Sequence, residues 1–322
     1  MQSAVRGFLS ARGFEEVETP YLVPSPGMEP HIDAFDVAFV PEGAGALQRL
    51  WLHTSPEYAM KRLLADGFTR IFQIARVFRN GEVSATHNPE FTMLELYRAG
   101  TDYQGAMRDV EELVAHCARE LTGGTRVRAG TGALDLAAPF ERLTVADAFA
   151  GAGIDLAACG GDAGELRRQL AARGVHGGSP DDRYDDLFFR AFLERIEPGL
   201  GHGRPVYLLD GPVSMAALAR AKPSDPRWAE RFELYAGGLE LANGFSELTD
   251  AGEQRRRLEE ERALRGRMGR PQYPIDERFL EALPLMPAAG GVAVGLDRLL
   301  MLLVGAGSVD EVLLFPARDF LG

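Results

Sequence analysis

Three glutamates in one short stretch could hold cations. Glu233, Glu240 and Glu247 recur at intervals of seven residues within the run RFELYAGGLELANGFSELTD. Carboxylates brought together in the interior of a sheet would repel one another unless cations lay among them. The spacing therefore indicates a site for Mg²⁺ and an ammonium group, while exposure of the three side chains to solvent is the alternative.

A long polar segment is the second feature that could do chemistry. It runs from Arg79 to Glu90 between two apolar runs, 71–78 and 91–97, whose β-branched and aromatic residues predict an antiparallel hairpin. A hairpin loop needs only about two to five residues. Long polar loops on rigid strands commonly bind ligands, so Arg79 could meet an anion there. A solvated surface loop is the alternative.

A turn signal predicts how the acidic stretch folds. The Gly-Gly pair at 237–238 is typical of a two-residue hairpin turn. Pairing across this turn places Tyr235 opposite Glu240, and Glu233 opposite Ala242, so that Glu233 and Glu240 share one face of the hairpin.

A second turn signal follows at Asn243 and Gly244. It predicts that the chain reverses again and brings Glu247 back towards Glu240. All three glutamates would then lie in one cluster.

Two helix starts position further polar groups. Ser55 can cap a helix, Pro56 suits its first position, and Glu57 favours its positive end, although Glu57 could equally face a ligand. Near the C-terminus, the glycines of 290–295 precede a helix that begins at Asp297. A glycine-rich turn before a helix is by itself weak evidence for nucleotide binding.

The composition is that of an ordinary globular chain of 322 residues, with 46% hydrophobic residues and a net charge of −12, which argues against a protein that coats nucleic acid. Cys117 and Cys159 lie far apart and predict buried thiols in a reducing compartment. No apolar run approaches the ~20 residues of a membrane span, and no signal peptide is recognisable, so a cytoplasmic protein without a membrane partner is expected.

The order of the polar residues resembles a known family. After Arg79 and Asn80, the run HNPEFTMLELY at 87–97 resembles motif 2 of the class II aminoacyl-tRNA synthetases, in the form used by the lysyl enzymes. GFEEVETPYLVPS, which contains Pro20, resembles motif 1, and GGVAVGLDRLLML, which contains Arg298, resembles motif 3. The three motifs follow one another in the family's order.

This resemblance implies a fold and an assembly. We expect the α+β catalytic fold of the class II synthetases, an antiparallel β-sheet flanked by helices, as one domain over residues 1–322 with a helical insertion at about 125–205. The first helix and the segment around 16–23 would form the interface of a homodimer. No anticodon-binding barrel, which precedes the catalytic domain in lysyl-tRNA synthetases, is expected before this helix.

The implied reaction is attack of an amino-acid carboxylate on the α-phosphate of ATP, which gives an aminoacyl-adenylate and pyrophosphate. The resemblance makes Arg79 and Arg298 the catalytic residues, gives Phe91 the stacking contact with adenine, and assigns Mg²⁺ to Glu233 and Glu240. The implied ATP-binding residues are Arg79, Asn80, Gly81, Asn88, Phe91, Glu240, Leu241, Gly295 and Arg298.

The resemblance also implies a substrate with a cationic side chain. In the family, the position of Glu57 receives the side-chain ammonium, that of Tyr97 hydrogen-bonds it, and that of Glu247 binds an amino group. A buried ammonium needs such partners because leaving it unpaired costs several kcal/mol. The implied substrate-binding residues are Ser55, Pro56, Glu57, Tyr97, Asn243, Glu247 and Ala293.

Two of these positions bear on the acceptor. Ser55 before Pro-Glu and Ala293 within motif 3 resemble the elongation factor P lysyltransferases, a paralogous family that places β-lysine on a lysine of that translation factor. The expected partner is elongation factor P, the expected substrate is lysine or β-lysine, and tRNA is not the expected acceptor. The alternatives are a truncated lysyl-tRNA synthetase and a catalytically silent regulator, and the intact ATP-binding set argues against the second.

Three positions depart from the usual family pattern. Gly81 stands where a glutamate commonly reads the adenine amino group, with Glu82 next to it, and Thr86 stands where an arginine commonly precedes the histidine. Ala293 replaces the middle glycine of motif 3, and one methyl group can change what a snug pocket accepts by ~1–3 kcal/mol. These departures bear on nucleotide affinity and substrate choice rather than on the reaction class.

Overall fold

The two hairpins predicted from the sequence form the centre of an eight-stranded sheet. The computed structural model describes residues 1–43, 46–130, 132–176 and 178–321. Its strands are β1 (Glu15–Glu16), β2 (Leu22–Val23), β3 (Asp36–Phe39), β4 (Gln48–Leu52), β5 (Arg70–Phe78), β6 (Glu90–Ala99), β7 (Arg126–Ala129), β8 (Gly132–Asp135), β9 (Glu141–Thr144), β10 (Val206–Leu209), β11 (Arg231–Ala236), β12 (Leu239–Ser246) and β13 (Ala289–Gly295).

The order of the main sheet is β1-β5-β6-β13-β12-β11-β10-β9. The six central strands pair antiparallel, whereas β1 pairs with β5, and β9 with β10, in parallel at the two edges. The predicted α+β fold with an antiparallel sheet is confirmed, and the parallel edge pairings are an addition to it. Strands β2, β4 and β3 form a separate small sheet, and β7 pairs with β8.

Helices cover both faces of the main sheet. They are α1 (Gln2–Ser10), α2 (Glu57–Ala65), α3 (Tyr103–Thr122), α4 (Val145–Gly151), α5 (Leu156–Cys159), α6 (Ala163–Ala171), α7 (Tyr184–Arg195), α8 (Ala251–Arg267), α9 (Glu277–Ala282) and α10 (Leu296–Val304). None of the helices in the described ranges combines the length and apolar composition that a membrane span needs. Cys117 and Cys159 are buried free thiols, as predicted.

One face of the sheet forms the main core. Helices α1, α3 and α10 pack there against alternate strand residues, among them Phe72, Leu94, Val292 and Phe232. Helix α3 is held at its start by Asp102, whose carboxylate accepts a hydrogen bond from the Gly105 N–H at 3.1 Å. Because side chains alternate along a strand, the intervening residues must point to the opposite face.

The opposite face carries the polar residues that the sequence singled out. Glu95 on β6 lies opposite Ala293 on β13, and Ala293 lies on its other side opposite Asn243 on β12. Asn243 in turn lies opposite Glu233 on β11, so these four residues form one transverse row across the sheet. Tyr97, two residues from Glu95, shares this face, and helices α2, α8 and α9 pack over one end of it.

The register of the second hairpin differs from the predicted one beyond its turn. Tyr235 pairs with Glu240, as predicted, but Leu234 pairs with Ala242 because Leu241 forms a bulge. Glu233 therefore lies opposite Asn243 and not opposite Ala242.

The predicted reversal at Asn243 and Gly244 is wrong. Both residues lie within β12, which continues to Ser246 and pairs with β11 on one side and β13 on the other. A Cβ added at Gly244 would lie 2.6 Å from the Gly291 carbonyl oxygen and 2.6 Å from the Phe232 ring. The glycine thus permits close packing between strands and does not form a turn.

The insertion expected at about 125–205 is not helical throughout. It begins with three strands, of which β7 and β8 form a hairpin and β9 joins the edge of the main sheet. Helices α4, α6 and α7 follow and enclose a separate core that includes Phe149, Leu166 and Phe188. The division of the chain into a single domain with this insertion stays a prediction.

Candidate active site

Arg79 lies where β5 ends and the long hairpin loop begins. Its N–H donates to the Pro89 carbonyl at 2.8 Å, which closes the base of the loop. The guanidinium carbon lies 5.1 Å from the centroid of the Phe91 ring, and Nη1 lies 3.9 Å from a carboxylate oxygen of Glu82. Nε is buried and has no hydrogen-bond partner among the described residues, so it can bind an anionic ligand.

Arg298, near the start of α10, ties three parts of the site together. Its guanidinium donates to the carbonyls of Thr86 at 3.1 Å and Glu240 at 2.9 Å, and Nη2 lies 2.6 Å from Nε2 of His87. Burial and the charge of Arg298 lower the pKa of His87, so the imidazole is neutral and accepts this bond. The position of His87 in the loop was predicted from the sequence, but its contact with Arg298 was not.

Hydrogen bonds within the protein fix the hairpin loop between Arg79 and Glu90. The amide of Asn88 donates to the Glu90 carbonyl at 2.6 Å and accepts from the Ala317 N–H at 2.9 Å, so its side chain is engaged by the protein. The N–H of Asn80 donates to the Asp33 carbonyl at 2.7 Å. Gly81 has φ +85°, a conformation that favours glycine over the glutamate usual in the resembling family.

Glu233 and Glu240 form an acidic pair beside Arg298. Glu233 accepts a hydrogen bond from the Tyr235 hydroxyl at 2.9 Å and pairs with Arg231 at 2.5 Å. Burial and then the charge of Glu233 raise the pKa of Glu240 to about 7, which Arg298 partly offsets. A cation beside them would stabilise these two neighbouring carboxylates.

The acidic pair fits a Mg²⁺ ion that arrives with its nucleotide. Within the described residues no group of three or more His, Cys, Asp or Glu side chains is placed to hold a metal. Mg²⁺, however, is commonly bound by one or two carboxylates together with substrate phosphates. Glu233 and Glu240 offer that donor set, and Arg231 already neutralises part of the charge on Glu233.

Two predicted ATP-binding residues, Leu241 and Gly295, lie beside the acidic pair with their backbone rather than with a side chain. Leu241 is the bulged residue of β12, and its side chain is buried among core residues. It thus lies away from the polar sheet face that carries Glu95 and Asn243, which we call the recess. Gly295 ends β13, where an added Cβ would lie 3.8 Å from the Leu241 carbonyl oxygen and 3.8 Å from Cβ of Arg298. The two predicted ATP-binding positions are therefore neighbours of each other and of Arg298.

A second group of charges surrounds Lys61. Its Nζ lies 2.5 Å from Oε1 of Glu57, one helical turn earlier on α2, and 2.6 Å from Oε2 of Glu247. The side chains of Lys61 and Glu247 are only 1% and 0% exposed. Burial would lower the pKa of Lys61, but the carboxylates of Glu247 and Glu57 raise it above its usual value. Lys61 was not predicted from the sequence, although its spacing of four residues from Glu57 was a signal.

Glu95 completes this second group. Its carboxylate accepts hydrogen bonds from the Ser55 hydroxyl at 2.8 Å and from the Tyr97 hydroxyl. Burial and the charge of Glu57 raise the pKa of Glu95 to about 8. Sequence reasoning missed Glu95, but it is the second glutamate of the HNPEFTMLELY run and shares a strand face with Tyr97.

The structure separates the three glutamates that the sequence analysis grouped. Because β12 does not reverse at Asn243, Glu247 lies beyond the end of that strand beside Lys61, and not beside Glu240. Its Oε1 is buried without a hydrogen-bond partner among the described residues, close to Gly291. The recess therefore has two acidic regions, one at Glu240 and one at Glu247.

The start of α2 also differs slightly from the prediction. The helix begins at Glu57, and Pro56 occupies the position before the first helical residue. The Ser55 hydroxyl still accepts a hydrogen bond from the Glu57 N–H at 3.0 Å, as a capping residue would. Ser55 thus links the start of α2 to Glu95 on β6.

Comparison with known proteins decides the family. The model of the class II tRNA synthetases for the D, K and N enzymes matches residues 1–319. The chain belongs to this family. The elongation factor P–(R)-β-lysine ligase of Proteus mirabilis (strain HI4320) is 40% identical over 98% of this chain and 92% of that protein. A lysine–tRNA ligase of Dehalococcoides mccartyi is also 40% identical over 98% of this chain, which spans 62% of that protein's length.

These matches confirm the class II synthetase resemblance and the ligase class predicted from the sequence. Within this class II synthetase fold, the predicted nucleotide residues lie around Arg79 and Arg298, and most of the predicted substrate residues lie around Glu57 and Glu247. Asn243 is an exception, because its amide oxygen accepts a hydrogen bond from Arg231 at 3.0 Å beside Glu233. The roles of the individual side chains stay predictions.

Proposed function

We propose that this protein is an ATP-dependent ligase that activates lysine or β-lysine as an aminoacyl-adenylate and transfers it to a lysine side chain of elongation factor P. One observation carries the proposal. The polar face of the main sheet brings together three carboxylates, Glu57, Glu95 and Glu247, and it also carries the Arg79 guanidinium beside Phe91, whose buried Nε has no hydrogen-bond partner among the described residues. The carboxylates suit ammonium groups and the guanidinium suits phosphates.

The chemistry follows from alignment and charge. The substrate carboxylate is ionised at neutral pH, so adenylate formation needs no general base, only positioning and neutralisation of the phosphate charge. Arg79 would bind the α-phosphate and Arg298 the far phosphate, while Phe91 would stack on adenine. Mg²⁺ held by Glu233 and Glu240 would supply further neutralisation of phosphate charge. The acceptor amine then attacks the adenylate carbonyl, an amide bond forms, and AMP leaves.

The acceptor is proposed from two residues at the substrate end. Ser55 donates a hydrogen bond to Glu95, and Ala293 lies directly opposite Glu95 on the next strand. These are two of the positions at which the sequence resembles the elongation factor P lysyltransferases, and both adjoin the same carboxylate. The Proteus mirabilis relative, an elongation factor P–(R)-β-lysine ligase, supports the same acceptor. The net charge of −12 disfavours a nucleic acid as the main partner.

A transfer assay tests this proposal. Purified protein, ATP, Mg²⁺ and radiolabelled lysine, (R)-β-lysine or (S)-β-lysine are incubated with elongation factor P or with tRNA. We expect label on elongation factor P. Label on tRNA alone would favour the second candidate, a lysyl-tRNA synthetase, which the Dehalococcoides mccartyi relative supports. Absence of pyrophosphate exchange with every amino acid would favour a catalytically silent module.

We further propose a cytoplasmic homodimer that forms through α1 and the segment around 16–23. Residues Gly7, Ser10 and Glu15 along this region are exposed in the single chain. Sedimentation equilibrium checks the assembly, with an expected mass of twice the chain mass of 35.1 kDa.

A further inference from the structure

Lysine is almost absent from this chain. Of its 35 basic residues, only Lys61 and Lys222 are lysines, and all the others are arginines. One of these two lysines lies buried in the recess described above, between Glu57 and Glu247. An ammonium is a compact charge on a flexible stem, whereas a guanidinium is a wide planar fork, so the two are not interchangeable at such a site.

The surroundings of Lys61 explain why its charge is retained. Glu57 faces it from the same helix, Glu247 from the segment after β12, and Glu95 and Tyr97 from β6. Two aromatic rings, those of Phe245 and Phe279, lie 5.1 and 5.8 Å from Nζ and exclude water. A buried ammonium with two carboxylate partners at hydrogen-bond distance is fixed in place.

We propose that Lys61 is a positioning residue of the amino-acid site, which fixes Glu57 and Glu247 and sets the charge that the site accepts. This proposal rests on the proposed function. The three carboxylates of Glu57, Glu95 and Glu247 carry a charge of −3 when ionised, and Lys61 reduces it to −2. The substrate class that matches is an amino acid with two ammonium groups, as in lysine or β-lysine.

The same ammonium determines how readily Glu247 ionises. Burial raises the pKa of Glu247 to about 8, Lys61 opposes this rise, and the charge of Glu57 adds to it. Without Lys61, Glu247 and Glu57 would have no cation between them. Glu247 would then stay protonated to a higher pH, and the site would bind an ammonium less well at neutral pH.

Substitution of each lysine tests the proposal. Lys61→Met removes the charge but keeps an unbranched apolar side chain, and Lys222→Met, which breaks an ion pair with Asp210 outside the recess, is the matched control. We expect Lys61→Met to raise KM for the amino acid in pyrophosphate exchange by about 100-fold, with kcat within a few-fold, because Glu57 and Glu247 lose the cation that holds them in place. In the wild type, KM should fall as pH rises, and in Lys61→Met this fall should occur at a higher pH.

Lys222→Met should leave KM and its pH profile as in the wild type. An unchanged KM in Lys61→Met would overturn the proposal. So would a lower KM, because Lys61 would then compete with the substrate ammonium instead of positioning its partners.

A measurement on the wild type does not depend on the folding of a variant. Protein labelled with ¹³C and ¹⁵N in lysine gives only two side-chain signals, and Lys222→Met assigns them. We expect Lys61 to remain protonated at pH 10.5, above the ordinary lysine pKa of about 10.4, and its signal to shift when the amino acid saturates the site. Deprotonation of Lys61 below pH 10 would overturn the proposal. So would a Lys61 chemical shift that does not change when the substrate binds.

The two experiments also separate this proposal from the proposed function. If the wild type activates neither lysine nor β-lysine, the proposed function fails, and the assigned charge match fails with it. If the wild type is active but Lys61 behaves as an ordinary lysine in both experiments, only the proposal for Lys61 fails.

Discussion

The geometry of Arg79 is that of an anion-binding residue. It stacks near Phe91, contacts Glu82 only at 3.9 Å, and keeps a buried N–H without a partner among the described residues. Such a donor costs free energy until a ligand accepts its hydrogen bond. The residue is therefore better explained by phosphate binding than by structural support of the loop.

We predict that Arg79→Ala lowers the rate of pyrophosphate exchange by about 10²–10³-fold, because a preorganised charge at the reacting phosphate is lost. The affinity for the amino acid, measured by calorimetry, should change by less than about threefold. Arg76→Ala is the matched control, since Arg76 lies on the same strand but on the other sheet face, near Glu90. Equal losses in both variants would contradict the assignment.

The raised pKa values at Glu95 and Glu247, each about 8, predict a pH dependence of substrate binding. Burial favours the protonated forms of these carboxyls when no substrate is bound, and a bound ammonium favours their ionised forms. Binding should therefore release protons and tighten as pH rises from 6 to 8, by up to about tenfold per pH unit for each proton released. Calorimetry in buffers of different ionisation enthalpy counts these protons, and Glu95→Gln should release fewer.

The same carboxyls predict a stability effect with a definite sign. Their folded-state pKa lies above the value of about 4.3 for an unfolded chain, so the empty protein loses stability as pH rises from about 4.5 to 8. Glu95→Gln should flatten this loss in thermal unfolding measured without ligand. An unchanged slope would mean that Glu95 is already ionised in the empty recess.

At the scale of elements, local signals predicted the hairpins and helix ends but not the bulge in β12. The Gly-Gly pair at 237–238 has positive φ at both residues and forms the expected turn. Asn243 and Gly244 carry an equally strong turn signal, yet pairing with strands on both sides overrides it. Sequence patterns describe neighbours along the chain, whereas the bulge at Leu241 depends on strands far away in sequence.

Strand β13 gives a prediction of its own at Gly291. A Cβ there would lie 2.3 Å from Oε1 of Glu247 and 2.4 Å from the Tyr97 ring, so Gly291→Ala must displace one of these side chains. We expect a rise in KM for the amino acid of at least about tenfold with little change in KM for ATP, whose residues lie elsewhere in the recess. Gly132→Ala, where an added Cβ meets only an ordinary contact at 3.8 Å, should leave both constants unchanged.

At the scale of the molecule, the motifs did not predict how the candidate residues group in space. The run HNPEFTMLELY made Tyr97 a predicted substrate residue, but it did not show that Glu95, on the same strand face, also lies near Glu57. That grouping depends on the order of strands, which places β13 between β6 and β12. Likewise, no local pattern indicated that β9 joins the main sheet in parallel to β10.

If the proposed reaction holds, the scarcity of lysine predicts that the enzyme resists acylation by its own adenylate intermediate. An aminoacyl-adenylate acylates free amines, and of the two lysines Lys61 is buried while Lys222 is 31% exposed and paired with Asp210. Incubated with ATP and its amino acid but without an acceptor, the protein should keep its intact mass apart from any change at the N-terminal amine. Arg126→Lys places an ammonium at a position that is 84% exposed, and this new lysine should be acylated. Modification of Lys222 in the wild type, located by peptide mass mapping, would show that the ion pair with Asp210 does not protect it.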